Sequence, residues 1–177
     1  VRRTNQMLAL ARADALDTPP APLDLHCLAE RCTREAWAVA REQGLDLGFE
    51  ADETPAVVLG HEGQLREALG NLLHNAMRYT PAGGHVTVQL RAAADQLRLS
   101  VIDDGPGIPA DERGRAGERF FRGRRTTQQP GSGLGLAIVR SIVQRHGGRM
   151  DVGPGSIDAQ GQERGTAVML TLPRRSQ

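Results

Sequence analysis

The chain contains no lysine. All 22 of its basic residues are arginine, which excludes a phosphate cradle of the G-x-x-x-x-G-K-[ST] type, because that loop needs a lysine on the phosphates. Aromatic residues are scarce: three Phe, one Tyr and one Trp in 177 residues. Platforms that stack nucleic-acid bases need several aromatics, and a formal net charge of +1 provides no basic footprint, so no nucleic-acid partner is expected. No apolar run approaches the ~18 residues that span a bilayer, and the start has no signal-peptide pattern, so no direct membrane contact by this chain is expected. Cys27 and Cys32 are the only cysteines. Five apart on a helical pattern, they point to different faces, which suits neither a disulfide nor a zinc spacing. They read as small apolar residues in a reducing cytoplasm. His26, His61, His74, His85 and His146 are scattered and read as structural or surface residues.

What is present is enough for one domain with a sizeable core built from Leu, Val, Ile and Ala. The chain starts on Val1-Arg2-Arg3 rather than Met and is read as a piece of something longer. Residues 1–16 carry a helical remnant, with Met7, Leu8, Ala11 and Ala15 at helical spacing. Residues 17–22 are a Pro-rich linker, and the main domain occupies 23–177. It opens with a helix whose apolar stripe is Leu25, Leu28, Ala29, Cys32, Ala36, Val39 and Ala40, ended by Gly44. Strands follow at 45–51 and 56–59. A second helix spans 64–78 with Leu65, Leu69, Leu72, Leu73 and Ala76 inward. Val86, Val88 and Leu90, then Leu97, Leu99 and Val101, alternate with polar residues and predict an antiparallel hairpin around a loop at 92–95. Residues 106–130 read as a long, partly mobile loop of the functional kind. Leu136, Val139, Ile142 and Val143 mark a third helix, closed by His146-Gly147-Gly148. Strands at 149–152 and 166–172, joined by a Gly-rich turn, complete an α+β two-layer sandwich: a mixed, mostly antiparallel sheet packed on three helices.

Four segments carry chemistry. On the second helix, Asn71 and Asn75 are four apart, so both amides lie on one face. Their oxygens are hard, neutral ligands suited to Mg²⁺ beside phosphate; a pair of surface asparagines is the plainer alternative. Asp103-Asp104-Gly105-Pro106-Gly107-Ile108 follows a strand. Its glycines admit a ligand close to the backbone, and the carboxylate can accept from an exocyclic amine such as that of adenine; a simple Asp-Gly-Pro turn would look the same. Glu118-Arg119-Phe120-Phe121-Arg122-Gly123 leads into a basic stretch, where Arg122, Arg124 and Arg125 either clamp phosphate oxygens or form a solvated loop. Gly131-Ser132-Gly133-Leu134-Gly135-Leu136 precedes the third helix, and glycines there expose backbone N–H groups where phosphate is favoured.

In this order, the four segments resemble the asparagine, first glycine, phenylalanine and second glycine boxes of sensor histidine kinases. The resemblance covers roughly residues 23–173 and implies the Bergerat-type ATP-binding fold shared with gyrase, MutL and heat-shock chaperones. It implies that Asn71 and Asn75 hold Mg²⁺ and phosphates, that Asp103 reads the adenine amino group, and that Gly105, Gly107 and Ile108 shape that pocket. Tyr79 would flank the adenine, with Arg78 beside it. Arg122 and the backbone of Gly131, Ser132, Gly133, Leu134, Gly135 and Leu136 would meet the phosphates under a mobile lid, Asn71 and Arg122 acting in catalysis. ATP and Mg²⁺ are the implied cofactors.

The implied reaction is transfer of the γ-phosphoryl group to a histidine on a separate dimerisation and phosphotransfer domain of the same parent protein, which then serves a response regulator. The implied setting is the cytoplasmic part of a membrane-anchored sensor. Three departures accompany the resemblance. The acceptor-histidine motif is absent from these residues. His61 replaces the usual Asp before the asparagine-box helix, which predicts a weaker cap. Gly117 replaces the usual aromatic before Glu118, which removes a lid anchor; together with the absent acceptor motif it leaves a degenerate nucleotide-binding regulatory module as the alternative.

Overall fold

The computed structural model describes residues 19–52, 56–124 and 132–175; the expected helical remnant, Arg125 and Gly131 lie outside them. Asp24 starts the first helix, α1 (Leu25–Glu42), by accepting from the backbone N–H groups of His26 and Cys27. That satisfies two of the helix's orphan donors. The chain leaves α1 through Gly44, at φ +70°, a left-handed conformation that glycine adopts without penalty. Leu25, Leu28, Ala29, Cys32 and Ala40 are buried as the stripe predicts, but Val39 is exposed and Ala36 only half-buried. The stripe is narrower at its C-terminal end than the spacing suggests, and Thr33 takes a buried position instead, its hydroxyl donating to Ala29 O.

The Pro-rich stretch does not stay a linker up to residue 22. Strand β1 (Ala21–Asp24) begins inside it and pairs antiparallel with β3 (Val57–Gly60). Pro22 is compatible with this because β1 has one neighbour only, so one side needs no N–H. The main sheet contains β2 (Asp46–Ala51), β4 (His85–Ala93), β5 (Gln96–Asp103), β6 (Arg149–Gly153) and β9 (Thr166–Pro173), in the order β2-β4-β5-β9-β6. Only β2 and β4 are parallel, so the sheet is mixed and mostly antiparallel. The β4–β5 hairpin is tighter than expected, with a turn at Ala94-Asp95 and Ala94 at φ +35°. Between β6 and β9, the Gly-rich segment holds a further small ribbon, β7 (Ser156–Ile157) with β8 (Glu163–Arg164). Two-residue strands are too short to leave a periodicity.

The helices α1, α2 (Glu62–Tyr79) and α4 (Gly135–Arg145) form the second layer, and a short turn of helix, α3 (Ala110–Arg113), lies inside the segment read as a loop. Leu69 and Leu72 from α2, Ile138 and Ile142 from α4, and Val86, Leu90, Leu97 and Leu170 from the sheet are almost wholly buried in one core. Each such side chain contributes roughly 1.5–3 kcal/mol. α2 and α4 run antiparallel. His61, at the start of α2, donates its N–H to His146 Nε2 at the end of α4, 3.0 Å away, whereas Gly135 at the start of α4 abuts Asn71 and Asn75. His61 gives α2 no side-chain cap, as its replacement of Asp predicts, and the backbone bond to His146 fastens this end instead.

Candidate functional site

α2 places Asn71 and Asn75 one turn apart on the side facing α4. Asn71 Nδ2 donates to Glu67 O at 3.0 Å, which fixes the amide and leaves its oxygen outside that bond. A Cβ on Gly135 would lie 3.2 Å from Asn75 Nδ2 and 3.6 Å from Asn71 Oδ1. A side chain there would crowd the Asn75 amide, so glycine lets the N-terminus of α4 sit close to both amides without a tight contact. That terminus has no side-chain cap, and Ile138 is the first residue whose N–H reaches back, to Leu134 O. The N–H groups before it have no intrahelical acceptor, and such groups together with the helix dipole favour an anion.

Asp103 is the last residue of β5. Its Oδ1 accepts from Gly105 N–H at 3.0 Å and from Thr166 N–H at 3.1 Å. Burial pushes its carboxyl up to about 6, against those two hydrogen bonds, which favour the ionised form. Gly105 passes against the end of α2: a Cβ there would lie 2.7 Å from Tyr79 O. Gly107 sits at φ +74°, with Gly165 O 2.6 Å from where a Cβ would be. The Arg78 guanidinium lies 5.8 Å from the centre of the Tyr79 ring.

These groups surround one cleft. Asn71, Asn75, Arg78, Tyr79, Asp103, Gly107, Ile108, Arg122, Ser132, Gly133, Gly135 and Leu136 are all on its wall. Two expected site residues are not. Gly105 acts from behind, through its bond to Asp103, and the Leu134 side chain is buried in the core. Gly131 falls outside the described residues. The wall also contains residues that sequence reasoning missed. His74, read as structural or surface, lines the cleft beside Asn75, and Glu112 and Thr166 line it from α3 and β9. Helical spacing gave a usable signal for His74, which lies three residues after Asn71 and so near its face. Thr166 had none, because it reaches the site through its register opposite Asp103.

Arg124 does not face the cleft as a phosphate clamp. It is bound to Asp111 and Glu112 of α3. Residues 106–130, read as a partly mobile loop, have few buried apolar anchors among the described ones. Polar ones supply the difference: Arg113 is paired with Glu163 of β8, and Gly117 is buried beneath Arg140, whose Nε would be 2.4 Å from a Cβ at that position. The Arg115 guanidinium covers the Phe121 ring at 4.6 Å, a cation–π arrangement.

A two-layer sandwich whose cleft combines paired amides, an uncapped helix N-terminus and a buried carboxylate defines a nucleotide-binding domain of the Bergerat type. Residues 60–176 match the histidine kinase-, DNA gyrase B- and HSP90-like ATPase family, and the chain belongs to it. Within that family it is an ATP-binding catalytic domain of the sensor histidine kinase kind. It is 38% identical over 174 residues to the signal transduction histidine-protein kinase/phosphatase MprB of Mycolicibacterium paratuberculosis, covering 96% of this chain and 32% of that protein. Among solved structures, a mycobacterial sensor histidine kinase MprB superposes with a TM-score of 0.77 at 36% identity, covering 89% of this chain and 100% of that one. Full-length ShkA in complex with AMPPNP superposes with a TM-score of 0.79 at 30% identity, over 98% of this chain and 35% of that one. The chain thus spans about a third of the length of the curated relatives it matches. Among the described residues, no helix is long and apolar enough to cross a membrane.

Proposed function

We propose that this domain binds Mg·ATP in the cleft and transfers the γ-phosphoryl group to a histidine on a dimerisation and phosphotransfer domain of its parent protein, in the cytoplasm, for relay to a response regulator. The observation that carries this reading is the contact of Gly135 with Asn71 and Asn75. It joins a cation-suited pair of amide oxygens to an anion-suited helix terminus, and a magnesium–triphosphate needs both. The donor set fits the metal: Mg²⁺ prefers oxygen ligands and keeps several waters, so it is held by few protein groups together with phosphate. When bound, the ion would neutralise charge on the phosphates. Asn71 and Asn75 would hold it, the α4 N–H groups and Arg122 would orient the phosphates, and Asp103 would fix the base by accepting from its amino group. Phosphoryl transfer needs positioning and charge stabilisation more than covalent help. The relative ShkA was solved with an ATP analogue, which supports the same ligand here. The degenerate reading rested on Gly117 and on the absent acceptor-histidine motif. Arg140 occupies the space beside Gly117, which favours a working lid.

The test is phosphotransfer from labelled ATP to a separately made dimerisation and acceptor domain. We expect acid-labile, base-stable label on the acceptor, and loss of both label and Mg·ATP affinity in folded Asn75→Ala. Mg·ATP binding without any transfer would make this a nucleotide-sensing module, and unchanged affinity in Asn75→Ala would remove the asparagine's metal role.

A further inference from the structure

Arg124 is fastened to α3 through both its guanidinium and its backbone N–H. Its Nε donates to Glu112 Oε1 at 2.5 Å, its backbone N–H donates to Glu112 Oε2 at 3.1 Å, and its terminal nitrogen donates to Asp111 Oδ2 at 2.6 Å. The two carboxylates are not equivalent. The Asp111 side chain is 68% exposed and that of Glu112 only 10%, and Glu112 stands on the wall of the cleft. A desolvated carboxylate needs a counter-charge and hydrogen bonds to its oxygens, and Arg124 supplies both. On its other side this stretch is tied down at Phe120, whose N–H donates to Gly133 O at 3.0 Å. The three residues between the ties, Phe121, Arg122 and Gly123, all line the cleft. The span is therefore held at both ends, and its centre is Arg122.

We infer that Glu112 is a positioning residue for the nucleotide. Acting through Arg124, it fixes the far end of the 121–123 span, so that Arg122 stands at the cleft before the triphosphate arrives. The inference rests on the reading of the cleft as an ATP site. A span held in its bound arrangement does not have to be ordered at the moment of binding, and preorganisation of this kind appears in affinity rather than in fold stability. Glu112 touches no reacting atom in this account. The same pair is consistent with Arg124 being absent from the cleft wall, since its guanidinium is bound to Asp111 and Glu112 of α3.

Glu112→Gln keeps the shape and an acceptor for the Arg124 N–H while removing the charge. Arg124→Gln breaks the pair from its exposed side, where misfolding is least expected. Affinity for a non-hydrolysable Mg·ATP analogue should fall about fivefold in each, as for loss of one partly exposed charge pair. The double variant should be no weaker than Arg124→Gln alone, because that variant already removes the Glu112 contact along with the one to Asp111. In phosphotransfer, KM for ATP should rise with kcat nearly unchanged, and Arg124→Lys should recover part of the loss. Amide exchange at residues 121–123 should quicken in the analogue-free Glu112→Gln protein while that of α2 stays as in the wild type.

Wild-type affinity in both single variants, or additive losses in the double one, would overturn the latch. Arg122→Met is the control that separates the two ideas. If wild type binds the analogue and Arg122→Met weakens it while Glu112→Gln does not, the latch falls and the ATP reading stands. If wild type does not bind the analogue, the ATP reading itself falls.

Discussion

Burial holds the Asp103 carboxyl at about 6, whereas its ordinary value is 3.8. The folded protein therefore binds this proton more tightly than the unfolded chain does, and stability declines as pH rises through the window from about 4 to about 6. Above that window the deficit is constant, up to about 3 kcal/mol at 1.36 kcal/mol per pK unit. Asp103→Asn keeps an oxygen to accept from Gly105 and Thr166, so it should melt at a higher temperature than wild type at pH 7.5, and the gain should shrink by pH 4.5. In the proposed site the Asp103 carboxylate would accept from the adenine amino group and would meet the carbonyl oxygen of guanine as a second acceptor, whereas an amide can turn its NH₂ toward that carbonyl, so Asp103→Asn should also lose the ATP-over-GTP preference expected of the wild type. Thermal melts at the two pH values, with GTP competition against bound ATP, check both halves. A gain that did not depend on pH would show that the Asp103 charge is not the cause.

Mg·ATP should act on the segment between α3 and α4. We expect amide exchange across residues 119–124 to slow further when a non-hydrolysable analogue binds against this segment, and exchange in β4 at residues 86–90 to stay unchanged, since no β4 residue lines the cleft; equal slowing in both would mean global stabilisation rather than a local contact with the nucleotide. The anchors of this segment illustrate what sequence conveys. α2 was legible because Leu65, Leu69, Leu72, Leu73 and Ala76 repeat at helical spacing, and all are buried. The β4–β5 hairpin was legible from alternation. The four boxes named most of the cleft wall, because each keeps its chemistry within a few consecutive residues. β1 was hidden by Pro22 and by Pro19-Pro20 just before it; an edge position tolerates the proline inside the strand. Glu112–Arg124 and Arg113–Glu163 were hidden because a pairing between remote charged residues leaves no periodic trace, and counting apolar residues makes such a segment look unheld. Thr166 was hidden for a related reason, since register alone brings it to Asp103.

α2 and α4 join the nucleotide cleft to a histidine contact at their opposite ends. His146 accepts from His61 N–H through Nε2 and lies 2.7 Å from Ile142 O through Nδ1, so the ring is neutral with its proton on Nδ1. Burial holds it below the usual 6.5, with the His61 ring and Arg145 acting in the same direction. A depressed histidine contributes fully above about 6.5, and its contribution is lost as pH falls toward the folded value. Asp103 titrates with the opposite sign, so the effect should be measured in Asp103→Asn. There, the melting temperature should drop between pH 7.5 and 5.5, and His146→Met should flatten that slope while lowering stability at pH 7.5. An unaltered slope would assign the effect to other groups. The strand order β2-β4-β5-β9-β6 also sets the order of assembly. β6 pairs with β9 alone, and β5 is an edge until β9 arrives between them. Contacts between segments so far apart in sequence are slow to form. During synthesis, β6 leaves the ribosome before its only partner exists, and β5 waits with one side unpaired. Thr166 opens β9, so the carboxylate that would read the base gains its second backbone bond only when the sheet closes. A chain made only as far as β6 therefore has both asparagines in hand but an unfinished pocket around Asp103, and any competence to choose a nucleotide must wait for β9.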